Sequence, residues 1–285
     1  MSKPDKTYDA LLQQARSGDI RAFYGLFSEF QPQLKSYLYR LLANRNDVED
    51  IAQDVFIVAF ENISSFRGDA SLKTWVFTIA TNQARKQLKD QKRWVTDTFE
   101  RTRRLAHQET DVMQAIDYAH QHAPQGVYEI REHIDYCFTC VSKMLPIEQQ
   151  IALILKDIYA FKIKEIALIM DATESKIKHF LHNARQTMID IFDDTCALVH
   201  KNGICNQCSE LNGKFNPKQD KQAELMKVKW VKERARHTTK ELYRLRAKLV
   251  RGIDPLQANG ADLHEVLMRI NHTVNTDSES SIGDA

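Results

Sequence analysis

The sequence DVEDIAQDVF at residues 47–56, with FRGDAS at 66–71 and KTWVFTIATNQARK at 73–86, decides how the rest of the chain is interpreted. Apolar residues recur at three- and four-residue steps in the first segment, which predicts an amphipathic helix. The second segment is a polar turn, and Ser71 at its end can cap a second helix. An acidic helix followed by a polar loop and a basic, aromatic helix is typical of a binding surface and not of an active site.

The polar face of the first predicted helix is acidic. Asp50, Gln53 and Asp54 follow one another at helical steps on the face opposite the apolar residues. Carboxylates without basic neighbours face either water or a basic partner surface, and the pattern alone leaves both interpretations open.

The second predicted helix carries a basic stripe. Its polar residues are Asn82, Arg85, Lys86, Lys89, Lys92 and Arg93. Arginine and lysine supply phosphate contacts, and asparagine adds hydrogen bonds. Phe66, Trp75 and Phe77 lie close to this stripe, and aromatic faces can stack on unpaired bases. A tryptophan buried in the core is the alternative interpretation of Trp75.

These segments resemble the promoter-melting domain of extracytoplasmic-function (ECF) sigma factors of bacterial RNA polymerase, over about residues 8–94. The resemblance implies that the acidic helix binds the clamp helices of the polymerase and that the loop holds a flipped base of the minus-ten element. The implied polymerase-binding residues are Asp47, Glu49, Asp50, Gln53, Asp54 and Phe56. The implied minus-ten residues are Phe66, Arg67, Ser71, Lys73, Thr74, Trp75, Asn82, Arg85, Lys86, Lys92 and Arg93.

Composition favours an all-α protein of two or three domains. The chain has 285 residues, of which 43% are hydrophobic, and only 9 glycines and 6 prolines to form the turns of a β-rich fold. The formal net charge of +2 means that nucleic-acid binding must depend on local patches.

The sequence also predicts a cytoplasmic protein. No run approaches the roughly 20 apolar residues of a membrane span. The N-terminus does not resemble a signal peptide, and five cysteines argue against a disulfide scaffold.

A second domain is predicted over residues 131–194, after a linker at 95–130. The linker is either a tether or, as in the resembling family, a segment that threads toward the polymerase active centre. A short helix at 163–170, a turn at Asp171 and a long helix capped by Thr173 fit a helix-turn-helix, with Ile166 and Ile177 between the helices. The pattern resembles the minus-thirty-five-binding domain of the same family. The residues expected to contact DNA are Thr173, Glu174, Ser175, Lys176, Lys178, His179, His182 and Arg185.

The C-terminal extension at 195–285 departs from that family's minimal form. Cys196, His200, Cys205 and Cys208 could hold a structural zinc ion, and the alternative is buried or redox-active thiols. Cys137 and Cys140 are separated by two residues, as are Cys205 and Cys208, but they are expected in the core. A four-cysteine site formed by these two pairs is the alternative.

Beyond these cysteines, residues 221–251 predict a basic helix that lies along DNA phosphates, along an acidic polymerase surface, or in solvent. A last amphipathic helix is expected at 262–270 and a polar tail after it.

The favoured function is a sigma factor that binds core RNA polymerase, recognises promoter DNA and melts it, with an anti-sigma factor as a further candidate partner. No catalytic motif appears, so we expect no enzyme, no required cofactor and no small-molecule substrate. One alternative is a stand-alone helix-turn-helix regulator, which leaves residues 47–93 unexplained. The other is a zinc enzyme built on Cys205 and Cys208, for which no catalytic base stands out.

Overall fold

The computed structural model describes residues 6–89, 93–95, 97–98, 101–102, 104–105, 111, 114, 118, 130–196 and 228–276. The regular structure of these residues is helical, which confirms the all-α prediction. The α-helices are α1 (Lys6–Arg16), α2 (Ile20–Ser28), α3 (Gln31–Leu42), α4 (Arg45–Glu61), α5 (Leu72–Lys89), α6 (Ile130–Ser142), α7 (Ile147–Leu153), α8 (Ile163–Met170), α9 (Glu174–Thr195), α10 (Lys229–Lys232), α11 (Thr239–Val250) and α12 (Ala261–Thr276). Short 3₁₀ turns occupy Ile63–Ser65 and Arg234–Arg236, and a π-helical turn, Ile154–Ile158, continues α7. No helix in these ranges is long and apolar enough to cross a membrane.

Side-chain caps fix the helix starts of the N-terminal bundle. Asn44 accepts hydrogen bonds from the backbone N–H groups of Asn46 and Asp47 at the start of α4, and Ala43 before it adopts a left-handed conformation with φ 58°. Ser71 accepts from the backbone N–H of Thr74 at 3.1 Å, as predicted for α5. Each cap satisfies a donor that the helix itself cannot pair, so the breaks between helices are encoded locally.

The helix-turn-helix is present at the predicted positions. The Thr173 side chain accepts from the backbone N–H of Lys176 at 3.2 Å and so begins α9. Asp171 turns the chain with φ 50° after α8 ends. Ile166 and Ile177 are both fully buried between α8 and α9, as the sequence indicated.

The hydrophobic core crosses the domain boundaries expected from the sequence. One cluster joins α1–α5 to α7, α8 and the first half of α9, and contains Phe77 and Phe161 with ring centroids 4.9 Å apart. The other cluster joins α6 and the second half of α9 to α10, α11 and α12. The helices of the predicted second domain therefore pack against the N-terminal bundle on one side and against the extension on the other.

The described helices of the extension differ in length from those expected. The predicted basic helix at 221–251 is interrupted in its described part, because Thr238 forms a capping box with Glu241 and starts α11 anew. The last helix is longer than predicted and runs to Thr276. Cys137 and Cys140 are buried on α6, which confirms their assignment to the core.

Candidate polymerase and nucleic-acid interfaces

Helix α4 presents an acidic face on a rigid support. Val48, Ala52, Val55 and Ala59 are buried and fix the orientation of the helix. Of the residues predicted to bind polymerase, those with exposed side chains are Glu49, Asp50, Gln53 and Asp54. Among the described residues, no basic side chain pairs with Asp50 or Asp54, so their charges face solvent.

The other members of the predicted polymerase set with intramolecular contacts or partly buried side chains are Glu49, Asp47 and Phe56. Glu49 pairs with Lys35 of α3 at 2.5 Å, and Asp47 is half-buried. Phe56 is half-buried in an aromatic cluster, with its ring 5.2 Å from those of Phe23 and Phe27. Phe56 therefore contributes to the packing of α2 on α4, and its contact with polymerase stays a prediction.

The loop before α5 forms a cavity of about 300 Å³. Gly68 turns the loop with φ 84°, a conformation that side-chain-bearing residues rarely adopt. Trp75 is half-buried on one wall, Arg67 lines another, and Leu168 of α8 reaches in from the helix-turn-helix. The predicted base-binding loop thus has a cavity, but a side chain of the second domain borders it.

Two residues predicted to contact the minus-ten strand are instead buried beneath this loop. Phe66 is 5% exposed, packs on Trp75 at 5.4 Å and accepts a hydrogen bond at its carbonyl from Arg16. Thr74 is 1% exposed and is joined to the hydroxyl of Ser71 at 2.8 Å. The correction has a physical cause: Phe66 adds apolar area to the core, and the Thr74 hydroxyl is engaged in the cap of α5.

Arg85 is engaged by the second domain. Its guanidinium donates to both carboxylate oxygens of Glu148 in α7, at 3.1 and 2.7 Å, and to the carbonyl of Met170 at 3.3 Å. Asn82 accepts a further hydrogen bond from the same guanidinium at 3.3 Å. The expected backbone contact by Arg85 is therefore replaced here by an ion pair between domains.

The remaining cations of the predicted minus-ten set differ in exposure. Lys86 and Arg93 are exposed, whereas Lys92 lies outside the described residues. Lys73 is half-buried with its ammonium 5.0 Å from the Phe161 ring centroid, and burial lowers its pKa. Arg67 in the loop is also exposed.

The N-terminal half of α9 is the exposed face of the helix-turn-helix. The predicted minus-thirty-five residues with exposed side chains are Thr173, Glu174, Ser175, Lys176, Lys178, His179 and His182. Arg185 differs, because it donates to both carboxylate oxygens of Asp157 at 2.9 and 2.5 Å. This pairing raises the pKa of Arg185 and directs its side chain toward the protein.

Arg40 is a central residue that the sequence did not reveal. It lies in an apolar-striped segment of α3, yet its guanidinium is 2.7 Å from the Asp135 carboxylate of α6. It also donates to the carbonyls of Val250 and Ile253, at 3.4 and 3.0 Å. An arginine within an apolar stripe was the available signal, because a buried cation requires a buried partner.

The predicted zinc site lies mostly outside the described residues, which include Cys196 but not His200, Cys205 or Cys208. Cys196 is buried, and Arg246 donates to its sulfur at 3.2 Å. The Arg246 guanidinium also lies 3.7 Å from the Phe192 ring centroid. A zinc site at these four residues therefore stays a prediction. Within the described ranges, no group of three or more histidine, cysteine or acidic residues is placed to hold a metal.

Comparison with protein families gives two matches in the order that the sequence suggested. The family model for Sigma-70 region 2 matches residues 26–94, and that for Sigma-70, region 4 matches residues 137–188. Both matches end before the C-terminal extension.

Three curated relatives show how far the similarity extends. The ECF RNA polymerase sigma-E factor of Escherichia coli (strain K12) is 27% identical over 188 residues, covering 64% of this chain and 92% of the relative. The RNA polymerase sigma-H factor of Pseudomonas aeruginosa is 24% identical over 183 residues, covering 62% and 90%. The ECF RNA polymerase sigma-E factor of Haemophilus influenzae is 39% identical over 87 residues, covering 30% and 46%.

Two solved structures are similar at a lower level. CnrH in complex with the cytosolic domain of CnrY is 18% identical with a TM-score of 0.47, covering 66% of this chain and 98% of that one. The sigma factor RpoE with the anti-sigma factor NepR from Bartonella quintana is 20% identical with a TM-score of 0.41, covering 60% and 96%.

Proposed function

Since this chain is an ECF sigma factor, a transcription initiation factor and not an enzyme, we propose how its described surfaces divide the work of promoter recognition. The acidic face of α4 binds core RNA polymerase, with Asp50 and Asp54 as its central contacts. The loop before α5 and the basic stripe of α5 hold the minus-ten strand, and α9 contacts the minus-thirty-five element. This role belongs in the cytoplasm, and an anti-sigma factor stays a predicted partner.

One observation supports the assignment of α4 most strongly. Asp50 and Asp54 are exposed and unpaired within the described structure, one turn apart on a helix whose opposite face is buried. Their charges are therefore available to a basic partner without any rearrangement of the bundle.

The two DNA surfaces must separate for this function. The numbers minus-ten and minus-thirty-five place the promoter elements about 25 base pairs apart, or roughly 85 Å of duplex at ~3.4 Å per step. Here, however, Leu168 of α8 borders the minus-ten cavity, and Arg85 pairs with Glu148. We therefore infer that the described conformation is closed and that polymerase and promoter bind an open one.

Co-purification with bacterial core RNA polymerase tests the polymerase contact. The variant Asp50→Arg/Asp54→Arg should lose binding, because two attractive charges become repulsive. The control Asp9→Arg/Glu29→Arg reverses two exposed carboxylates on α1 and after α2, and should bind like the wild type. Equal binding by both variants would remove the acidic face from the proposal.

Structural zinc stays a prediction. Metal analysis of the purified full chain, before and after Cys205→Ser/Cys208→Ser, tests it. One zinc per chain that is lost in the variant supports a site, whereas no zinc in either protein assigns these residues as ordinary thiols. Loss of zinc from Cys196→Ser would assign Cys196 as a ligand, and retention would leave it out of the site.

A further inference from the structure

Helix α11 has a fixed orientation that exposes a basic stripe. Its buried residues are Leu242, Tyr243, Arg246, Ala247 and Val250, most of which belong to the core that includes α6 and α9. Lys240, Arg244 and Lys248 follow one another at four-residue steps and are all exposed. The stripe is therefore held on one side of a helix that is part of the helix-turn-helix domain's own core.

This stripe forms one wall of a groove of about 740 Å³. The facing wall belongs to α9, where Lys178, His182 and Gln186 also recur at four-residue steps and are exposed. Lys178 and His182 are among the residues that we assign to promoter contact. The groove is therefore continuous with the surface that is proposed to read DNA.

The charge of the groove is strongly positive. Its cationic side chains are Lys156, Lys178, Arg185, Lys240, Arg244, Lys248 and Arg251. Asp157 is the acidic residue that lines it, and its carboxylate already accepts from Arg185 and from the Tyr243 hydroxyl, the latter at 2.6 Å. Glu241 of α11 interacts with Arg244 but does not line the groove. The groove lining therefore keeps an excess of positive charge, which favours a polyanion.

We propose that this groove binds the phosphate backbone of duplex DNA beside the element that α9 contacts, so that the extension enlarges the minus-thirty-five interface. The proposal rests on the function inferred above. Backbone phosphates recur along a duplex every few ångströms, and a row of lysine and arginine side chains is suited to them without reading sequence. Continuity with α9 favours DNA over an acidic protein surface, and packing of α11 on α6 and α9 keeps the stripe in place when the domains separate.

Salt-dependent DNA binding by the full chain tests the proposal without a known promoter. The probe is a fluorescent random-sequence duplex of about 30 base pairs, long enough to span the groove. Lys240→Gln/Arg244→Gln/Lys248→Gln removes three charges from α11. Arg21→Gln/Arg131→Gln/Arg269→Gln is the matched control, because these three exposed arginines do not line the groove. Circular dichroism should confirm that both variants keep the helical fold.

The expected result is a shallower dependence of the binding constant on salt in the α11 variant alone. Loss of three phosphate contacts lowers the log–log slope by about 2.7, so that wild type loses about 40-fold more affinity than the variant between about 50 and 200 mM salt. The control should keep the wild-type slope.

Two other outcomes would overturn the proposal. Equal slopes for the two variants would show that α11 does not contact phosphates. An unchanged slope together with reduced co-purification with core polymerase would assign the stripe to a protein surface. If instead the slope falls as expected but wild type does not bind core polymerase, the groove stands and the proposed sigma function fails.

Discussion

Arg40 in α3 and Asp135 in α6 form a buried ion pair between the N-terminal bundle and the second domain. The guanidinium Nη1 lies 2.7 Å from the carboxylate Oδ1, and the two side chains are 1% and 4% exposed. Because Arg40 also donates to the carbonyls of Val250 and Ile253, one side chain joins three parts of the chain. This buried ion pair therefore stabilises the closed conformation.

Removing one member of this pair should destabilise the protein strongly. Burial raises the pKa of Asp135 to about 6 although Arg40 opposes the rise, so the carboxylate is charged at pH 7.5. Arg40→Met should then lower the free energy of unfolding by about 3–5 kcal/mol, because a buried charge loses its partner.

Urea denaturation at two pH values measures this effect. The elevated pKa favours a protonated Asp135 in the fold below pH 6, so the cost of Arg40→Met should be smaller at pH 5 than at pH 7.5. The double variant Arg40→Met/Asp135→Leu should recover most of the loss. A single-variant cost below ~1 kcal/mol at pH 7.5 would show that the pair does not hold the domains together.

Glu148 should compete with DNA for Arg85. The pair is partly exposed, with side chains 23% and 43% accessible, so its contribution is at most about 1 kcal/mol. Glu148→Gln should raise the affinity of the free chain for a single-stranded minus-ten oligonucleotide by up to about fivefold. Fluorescence anisotropy measures this affinity.

The matched control is Asp262→Asn, which breaks the exposed pair between Arg45 of α4 and Asp262 of α12. It should leave oligonucleotide binding unchanged. If Glu148→Gln and Asp262→Asn behave alike, the pairing of Arg85 does not limit access to the strand.

Acid should weaken the docking of α12 on α6. His264 stacks on Tyr136 at 4.9 Å, and burial lowers its pKa to about 3. His133 of α6 also faces it with a lowered pKa, and Glu132 accepts from the backbone N–H groups of Asn259 and Gly260. A depressed histidine pKa gives stability that is present above about pH 6.5 and is lost as pH falls toward 3.

The expected loss from His264 between pH 7.5 and 5 is about 2 kcal/mol. His264→Phe keeps an aromatic ring against Tyr136 and cannot be protonated, so its stability should fall by that much less over the same range. Thermal or urea unfolding at both pH values measures the difference. Identical pH dependence in the two proteins would mean that His264 is not buried in solution.

Opening of the two domains can be observed directly. Ser65 and Leu168 line the same cavity, one from the N-terminal bundle and one from α8. Fluorophores attached there by non-cysteine chemistry should show high energy transfer in the free chain and very low transfer with core polymerase and promoter DNA. Unchanged transfer in the complex would contradict the inferred closed conformation.

The sequence predicted local structure better than the relation between domains. Caps such as Ser71 and Thr173 and the buried pair Ile166 and Ile177 were predictable, because neighbouring residues determine them. The pair between Arg85 and Glu148 spans 63 residues, and an exposed basic stripe gives no sign of it.

The burial of aromatic side chains could not be predicted from the sequence either. Phe66 is a loop residue by sequence, yet the fold covers it with Trp75 and Arg16. Similarly, the periodicity of residues 221–251 predicts a helix but does not predict that Thr238 restarts it or that α11 faces α9. Such features depend on contacts between distant segments, which periodicity does not contain.

Run-off transcription with purified bacterial core RNA polymerase tests the central claim most directly. The full chain should make the core enzyme start RNA synthesis at specific sites on genomic template fragments, and Asp50→Arg/Asp54→Arg should abolish these transcripts while Asp9→Arg/Glu29→Arg keeps them. Absence of any specific transcript with the wild-type chain, or equal transcripts with the reversed acidic face, would contradict the account.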